Sequence, residues 1–243
     1  MSKISIEVGH GGRDVGATTR DGKIYEKNIN LTVALELKRQ LERHGQEVLM
    51  SRESDIDDLA RDFFSKAKAW KPDLHISIHT NAFNGTARGF EVFAAQSSAF
   101  KPRSTALCQL IEKEVKALGQ TSRGIKDSPF LLSTLPCASA YCELGFMDNM
   151  DDFVQFNTAA RQRAFAVAYA KGIINYLGLP WKKETAQTSV ATNAKASSDG
   201  DTTPEKTILR VVAGSYSDRK NAENRIKELR SKGIECFLLL GAV

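Results

Sequence analysis

No apolar run in the sequence approaches the ~20 residues needed to span a bilayer. The first residues, MSKISIEVGHGG, pass from one lysine straight into a strand-like alternation. They contain neither the apolar core nor the small-residue cleavage site of a secretory leader. The expectation is synthesis in the cytoplasm without a signal peptide, and no membrane partner. Cysteine is also scarce. Four residues (Cys108, Cys137, Cys142 and Cys236) in 243 form no disulfide framework, and Cys137 and Cys142 lack a partner pair at zinc-finger spacing. Reduced, unpaired thiols are expected. Only four histidines occur, so each can be weighed singly.

What is present is an ordinary globular composition, with 42% hydrophobic and 26% charged residues. The chain is long enough for one good core, or one core plus a small module. Its formal charge of +5 is uneven: residues 1–181 carry +2, residues 182–206 carry 0 and residues 207–243 carry +3. A basic tail can favour anionic polymers. Here it is read as a solvated helix face, and no nucleic-acid partner is expected.

Hydrophobic periodicity predicts strands at 3–9, 46–51, 74–79, 89–94 and 138–144. It predicts helices at 27–44, 57–70, 103–118 and 159–177. Gly45 stands in a natural stop position after the first helix. Strands alternating with helices of this length imply an α/β domain of three layers, α/β/α, with a mainly parallel mixed sheet. Residues 182–206 have no aromatic residue and are rich in Ala, Ser, Thr and Asp, which reads as a flexible linker. Residues 207–243 read as one small βαβ unit, too short for a core of its own.

His44 closes the first helix and is expected at the surface. His10 and His79 end two strands, and the carboxyl ends of strands form the site-bearing edge of a parallel sheet. Catalytic zinc takes three protein ligands and keeps one position open. Glu26, at the next helix start, is the best-placed third donor, with Asp14 and Asp21 as competitors. Zinc hydrolysis also needs a proton carrier. Glu143, in an apolar strand before Leu144-Gly145-Phe146, is the candidate, because burial raises a carboxyl pKa. Cys142 beside it points to the opposite face, which disfavours a cysteine nucleophile.

Seven blocks give these residues a context: GHGGRDVGA at 9–17, Glu26, SRESD at 51–55, HISIHTNA at 75–82, RGFEVF at 88–93, RGIK at 123–126 and ELGFMDNMDD at 143–152. In this order the chain, over about residues 3–178, resembles the zinc-dependent N-acetylmuramoyl-L-alanine amidases of the amidase-3 type. The resemblance implies one zinc ion on His10, Glu26 and His79, with Glu143 as the catalytic glutamate. It implies cleavage of the amide between N-acetylmuramic acid and the L-alanine of the peptidoglycan stem peptide. Asn81, Arg123 and Lys126 are candidate substrate contacts, the last two in a segment read as a loop. Two departures stand out. Glu7-Val8 replaces the family's usual Asp-Pro, a change expected to touch no ligand. His75 replaces an apolar or aromatic residue and is expected to be packed or hydrogen-bonded.

LRVVAGSYSDRKNAENRIKELRSKGIECFLLL at 209–240 resembles the first half of a SPOR domain, which implies binding of glycan strands. Such domains usually hold two βαβ-like repeats. The expectation is that two chains pair their halves into a homodimer; the alternative is a truncated tail. A wall hydrolase made without a signal peptide acts after release, as phage endolysins and mother-cell-lysis autolysins do. The rival readings are a zinc peptidase or carboxypeptidase on the same scaffold, and a non-catalytic wall-binding protein.

Overall fold

The computed structural model describes residues 1–57, 60–96, 99–128 and 134–183, with Asn224 and Lys227 as isolated helical positions. The chain divides into two compact units, Met1–Gln187 and Thr188–Val243. The predicted linker from residue 184 and the βαβ unit lie outside the described residues, apart from Asn224 and Lys227. The expected dimer contact falls there too.

In chain order the first unit runs β1 (Lys3–Val8), α1 (Glu26–Arg43), β2 (Glu47–Met50), α2 (Ala60–Trp70), β3 (Leu74–Asn81) and β4 (Phe90–Ala95). It continues with α3 (Lys101–Lys116), β5 (Ser122–Ser128), β6 (Ala138–Phe146), α4 (Met150–Phe153) and α5 (Ala159–Tyr176). The six strands form one sheet in the order β2-β1-β3-β6-β4-β5. β2, β1, β3 and β6 are parallel; β4 joins β6 antiparallel and pairs with β5 in parallel. The mainly parallel mixed sheet is thus as expected.

Strand alternation sorts the two faces. Ile4, Ile6, Val8, Ile76, Ile78, Ala140 and Cys142 point into the main core, with Val33, Leu37, Leu107, Ile111, Phe165 and Tyr169 from α1, α3 and α5. The other face of β1 and β3 is polar. It carries Ser5 and Glu7 beside His75 and Ser77 in register. Phe64 of α2 packs on the His75 ring, with centroids 4.9 Å apart, so α2 covers that face. Among the described residues no helix is long and apolar enough to cross a membrane.

Two helix ends position the site. The N–H groups at the start of α1 find no side-chain cap. Instead Glu26 N donates to Ala17 O (2.9 Å) and Lys27 N to Val15 O (3.3 Å), which pins the loop after β1 to the helix. At the other end Gly45, at φ 79°, lets Gln46 N reach Leu41 O (3.1 Å) and stops the helix where the sequence places it.

Two expectations need correction here. Arg123 and Lys126 lie on strand β5, not on a loop. His44 is not a surface residue: it is 6% exposed, and its ring lies 4.4 Å from that of Trp181. Its Nδ1 faces Gln40 O, and its Nε2 accepts from Lys182 N, so the chain after α5 folds back over it.

Candidate active site

The chain leaves β1 through Gly9 into a turn closed by reciprocal Gly11–Asp14 backbone bonds of 2.9 and 3.0 Å. His10 sits in this turn at φ 62°, a left-handed conformation costing a non-glycine residue about 1–2 kcal/mol. Strain of this kind gathers where surrounding structure holds a functional group in one pose. His79 comes from β3 and Glu26 from the first turn of α1.

These three side chains meet. His10, Glu26 and His79 each offer a donor atom, and the atoms all lie within 4.8 Å of one another. His10 Nε2 is 3.2 Å from Glu26 Oε2, and His79 Nδ1 is 3.1 Å from Glu26 Oε1. Glu26 is held from behind. Its Oε2 accepts from Ala17 N (2.8 Å), and its Oε1 from Thr80 N (2.8 Å) and Asn30 Nδ2 (3.1 Å). The competitors are placed elsewhere. Asp14 Oδ2 lies 2.9 Å from the outer nitrogen of His10, and Asp21 accepts from the Thr19 hydroxyl (2.7 Å).

Close packing leaves room only for these rings. A Cβ on Gly9 would fall inside the His79 imidazole. One on Gly16 would meet His10 Cδ2 and Glu26 Oε2 at 2.5 and 2.6 Å. Tyr141 stacks on His79 with ring centroids 4.5 Å apart and planes 17° from parallel. Charges are strongly coupled. Burial opposes ionisation of Glu26, yet hydrogen bonds from His10 and His79 hold its carboxyl far below the usual range. Burial likewise disfavours a charged His79, but the Glu7 and Glu26 carboxylates raise its pKa well above the ordinary 6.5.

Glu143 is the register partner of His79 in the parallel β3–β6 pair. It is 8% exposed, and burial pushes its carboxyl up to about 7. The Tyr141 hydroxyl donates to this carboxylate, while Oε2 is buried without a hydrogen-bond partner. Cys142 faces the opposite core, fully buried, and burial drives its thiol pKa up.

Asn81, Arg123 and Lys126 also come together, on a residue that the sequence reading missed. Asn81 Nδ2 donates to Glu91 Oε2 (3.2 Å), and Arg123 and Lys126 both pair with Glu91 Oε1. Glu91 stands opposite Glu143 across the antiparallel β4–β6 pair. Its block, RGFEVF, was visible; its partners depend on strand register. His75 is packed, as expected, and outside the ligand group. It is fully buried, with Nδ1 2.8 Å from Ser5 Oγ and Nε2 3.1 Å from Ser77 Oγ. Burial lowers its pKa to about 4.

The expectation that Glu7-Val8 touches no ligand is overturned. Glu7 Oε2 lies 3.2 Å from His79 Nε2, because Glu7 and His79 share the α2-facing side of adjacent strands. Val8 N also donates to Ser51 Oγ (3.1 Å), a bond that proline cannot make.

Other block residues prove to be scaffolding. Arg52, 2% exposed, donates to the carbonyls of Val8, Gly9, Ser54 and Lys27. Asp152 accepts from Phe146 N, Gly89 N and Gln120 Nε2. Asp148, in the last block, accepts at its carbonyl from Arg20, which also donates to Gly85 O and so joins three rim loops.

Comparison with known proteins places the chain among relatives. Residues 4–175 match the profile of the family described as N-acetylmuramoyl-L-alanine amidase, and residues 182–240 match the SPOR domain. The second match takes in the stretch read as a linker. The sporulation-specific N-acetylmuramoyl-L-alanine amidase of Bacillus subtilis strain 168 is 28% identical over 243 residues, covering 99% of this chain and 85% of that protein. The endolysin of Bacillus phage SPP1 is 32% identical over 189 residues, covering 75% of this chain and 69% of that one. Among solved structures, the catalytic domain of CwlV, an N-acetylmuramoyl-L-alanine amidase from Bacillus (Paenibacillus) polymyxa var. colistinus, superposes with a TM-score of 0.68 at 28% identity, covering 74% of this chain and all of that one.

Proposed function

The chain belongs to the N-acetylmuramoyl-L-alanine amidase family, and on that premise we propose that it hydrolyses peptidoglycan with one zinc ion held by His10, Glu26 and His79 and with Glu143 as the proton carrier. The bond cleaved is the amide between N-acetylmuramic acid and the L-alanine of the stem peptide. The observation that carries the metal assignment is the convergence of the three donors within 4.8 Å. Two nitrogens and a carboxylate oxygen are a donor set suited to catalytic zinc. The space that Gly9 and Gly16 leave for these side chains supports the same reading.

A zinc ion on this set would supply Lewis acidity toward a carbonyl oxygen and an attacking water. Everything else falls to the chain's own groups. Tyr141 and the Gly9 backbone hold the His79 ring between them. Glu143 Oε2 has a free lone pair in a buried setting. It takes the proton of the water that attacks the scissile carbonyl. It then hands that proton to the alanine nitrogen as the C–N bond breaks. Burial, which raises the Glu143 carboxyl above its ordinary range, favours its holding the proton between the two transfers. Arg123 and Lys126, clasped on Glu91 and 39% exposed, would offer positive charge to the stem peptide's carboxylates. The C-terminal segment would hold glycan strands, as the SPOR match suggests. The sporulation-specific amidase and the endolysin among the relatives support wall lysis as the setting; that the protein acts at the wall after release from the cell that makes it is part of this proposal.

Digestion of purified sacculi tests this reading, with mass spectrometry of the soluble products. The expected products are intact stem peptides with a new L-alanine amino terminus. Release of single terminal amino acids would point instead to a carboxypeptidase. Binding to sacculi without loss of turbidity would point to a wall-binding protein.

A further inference from the structure

His79 makes two polar contacts through its ring. Nδ1 faces Glu26, the proposed co-ligand, and Nε2 faces Glu7. We propose that Glu7 is a positioning residue for the metal site: it keeps the His79 ring proton on Nε2, so that Nδ1 presents its lone pair to zinc. This rests on the zinc reading above and adds a residue to it.

Zinc binding displaces one ring proton from His79 and leaves a neutral imidazole with a single proton, and the hydrogen bond at one nitrogen decides which nitrogen gives up its proton. Two carboxylates compete for the His79 proton. Glu26 is already well supplied, accepting from the Ala17 and Thr80 backbone N–H groups and from Asn30. Glu7 accepts from Ser77, its register partner on β3, and from His79. Its need for a donor at Nε2 is therefore the greater. The contact is also dry. The Glu7 and His79 side chains are 7% and 13% exposed, so water is poorly placed to substitute for either partner. The ring is unable to swing away, because Tyr141 lies flat on it and Gly9 closes on it.

The other histidine has a similar arrangement of lesser weight. His10 Nδ1 meets Asp14 at 2.9 Å, but Asp14 is 68% exposed and water can replace it. The two carboxylates therefore differ by burial, and the effect of removing each should differ accordingly. Outer carboxylates on metal-bound histidines commonly contribute about 10–100-fold in metal affinity.

The test uses the full chain and competition with a chromophoric chelator to measure zinc affinity. Glu7→Gln keeps the size and removes the charge, and is expected to weaken zinc about 10–100-fold. Glu7→Asp, which restores the carboxylate the family usually carries here, is expected to recover most of that loss. Asp14→Asn is expected to change affinity less than Glu7→Gln does. In the zinc-loaded protein the His79 Nε2 proton resonance should move upfield in Glu7→Gln, a signature that a merely structural role would not produce. Zinc affinity of Glu7→Gln within twofold of wild type, or an unmoved Nε2 proton, would overturn the proposal. A wild-type chain that takes up no zinc would overturn the metal reading itself, and this proposal with it; that result is distinct from equal binding by both proteins.

Discussion

Replacing Glu143 by Gln separates chemistry from architecture. The amide has the size of the carboxyl and still accepts from the Tyr141 hydroxyl, so packing in β6 is kept. It is unable to take a proton from water. A positioned general acid–base is worth about 10²–10⁴ in rate. At about 1.4 kcal/mol per tenfold, that is roughly 3–5 kcal/mol of barrier. Stability should move the other way. Burial raises the Glu143 carboxyl from its ordinary 4.5 to about 7. Between those values the folded chain holds a proton that the unfolded chain has lost, so stability falls as pH rises through the window. Above pH 7 the deficit is complete, at about 3 kcal/mol. Glu143→Gln escapes it. In chelator-stripped protein the variant should match wild type near pH 4.5 and exceed it at pH 8, by about 6–12 °C in melting temperature. Melting scans from pH 4.5 to 8 and turbidity loss of sacculi are the assays. Near wild-type turnover would refute the proton-carrier role. A melting difference independent of pH would refute the buried, uphill carboxylate.

Four further outcomes are expected. His75 titrates at about 4 in the folded chain against an ordinary 6.5, so stability should fall by about 3 kcal/mol as pH drops from 6.5 to 4; His75→Leu should flatten that slope in denaturant titrations. Asp152→Ala would strip an acceptor from three donors, two backbone N–H groups and the Gln120 amide, and should cost roughly 3–5 kcal/mol by the same titrations. Gly9→Ala places a methyl group where the His79 ring lies, and should weaken zinc retention more than tenfold in chelator competition, roughly the low end of an outer-contact loss. Cys108, Cys137 and Cys142 are buried with raised thiol pKa values, so alkylating reagents should leave these three unmodified and activity intact in the native protein, as peptide mapping would show.

The elements that follow a clear period were legible in the sequence. β1, α1, β3 and α5 fall within a residue or two of their expected bounds, because each buries one regular face against the same core. β5 was not legible. SRGIKDS mixes charges with a glycine, and it forms a strand because it lies at the sheet edge with one neighbour, β4. The ligand histidines were readable from strand ends, and Glu26 became the third ligand only through the family's blocks. Glu7, Glu91 and Tyr141 were beyond reach for one reason. Alternation tells which face a side chain takes, but what it meets there depends on the register of a strand many residues away. His44 failed likewise, since Trp181, which covers it, is remote in sequence.

The central claim is that three residues hold one metal and a fourth moves the proton. Zinc content per chain, measured side by side on wild type, His79→Ala and Glu143→Gln after identical dialysis, tests it most directly. The account expects one zinc in wild type, almost none in His79→Ala and one in a Glu143→Gln protein that no longer lyses sacculi. Zinc retained by His79→Ala, or lost from Glu143→Gln, would contradict it.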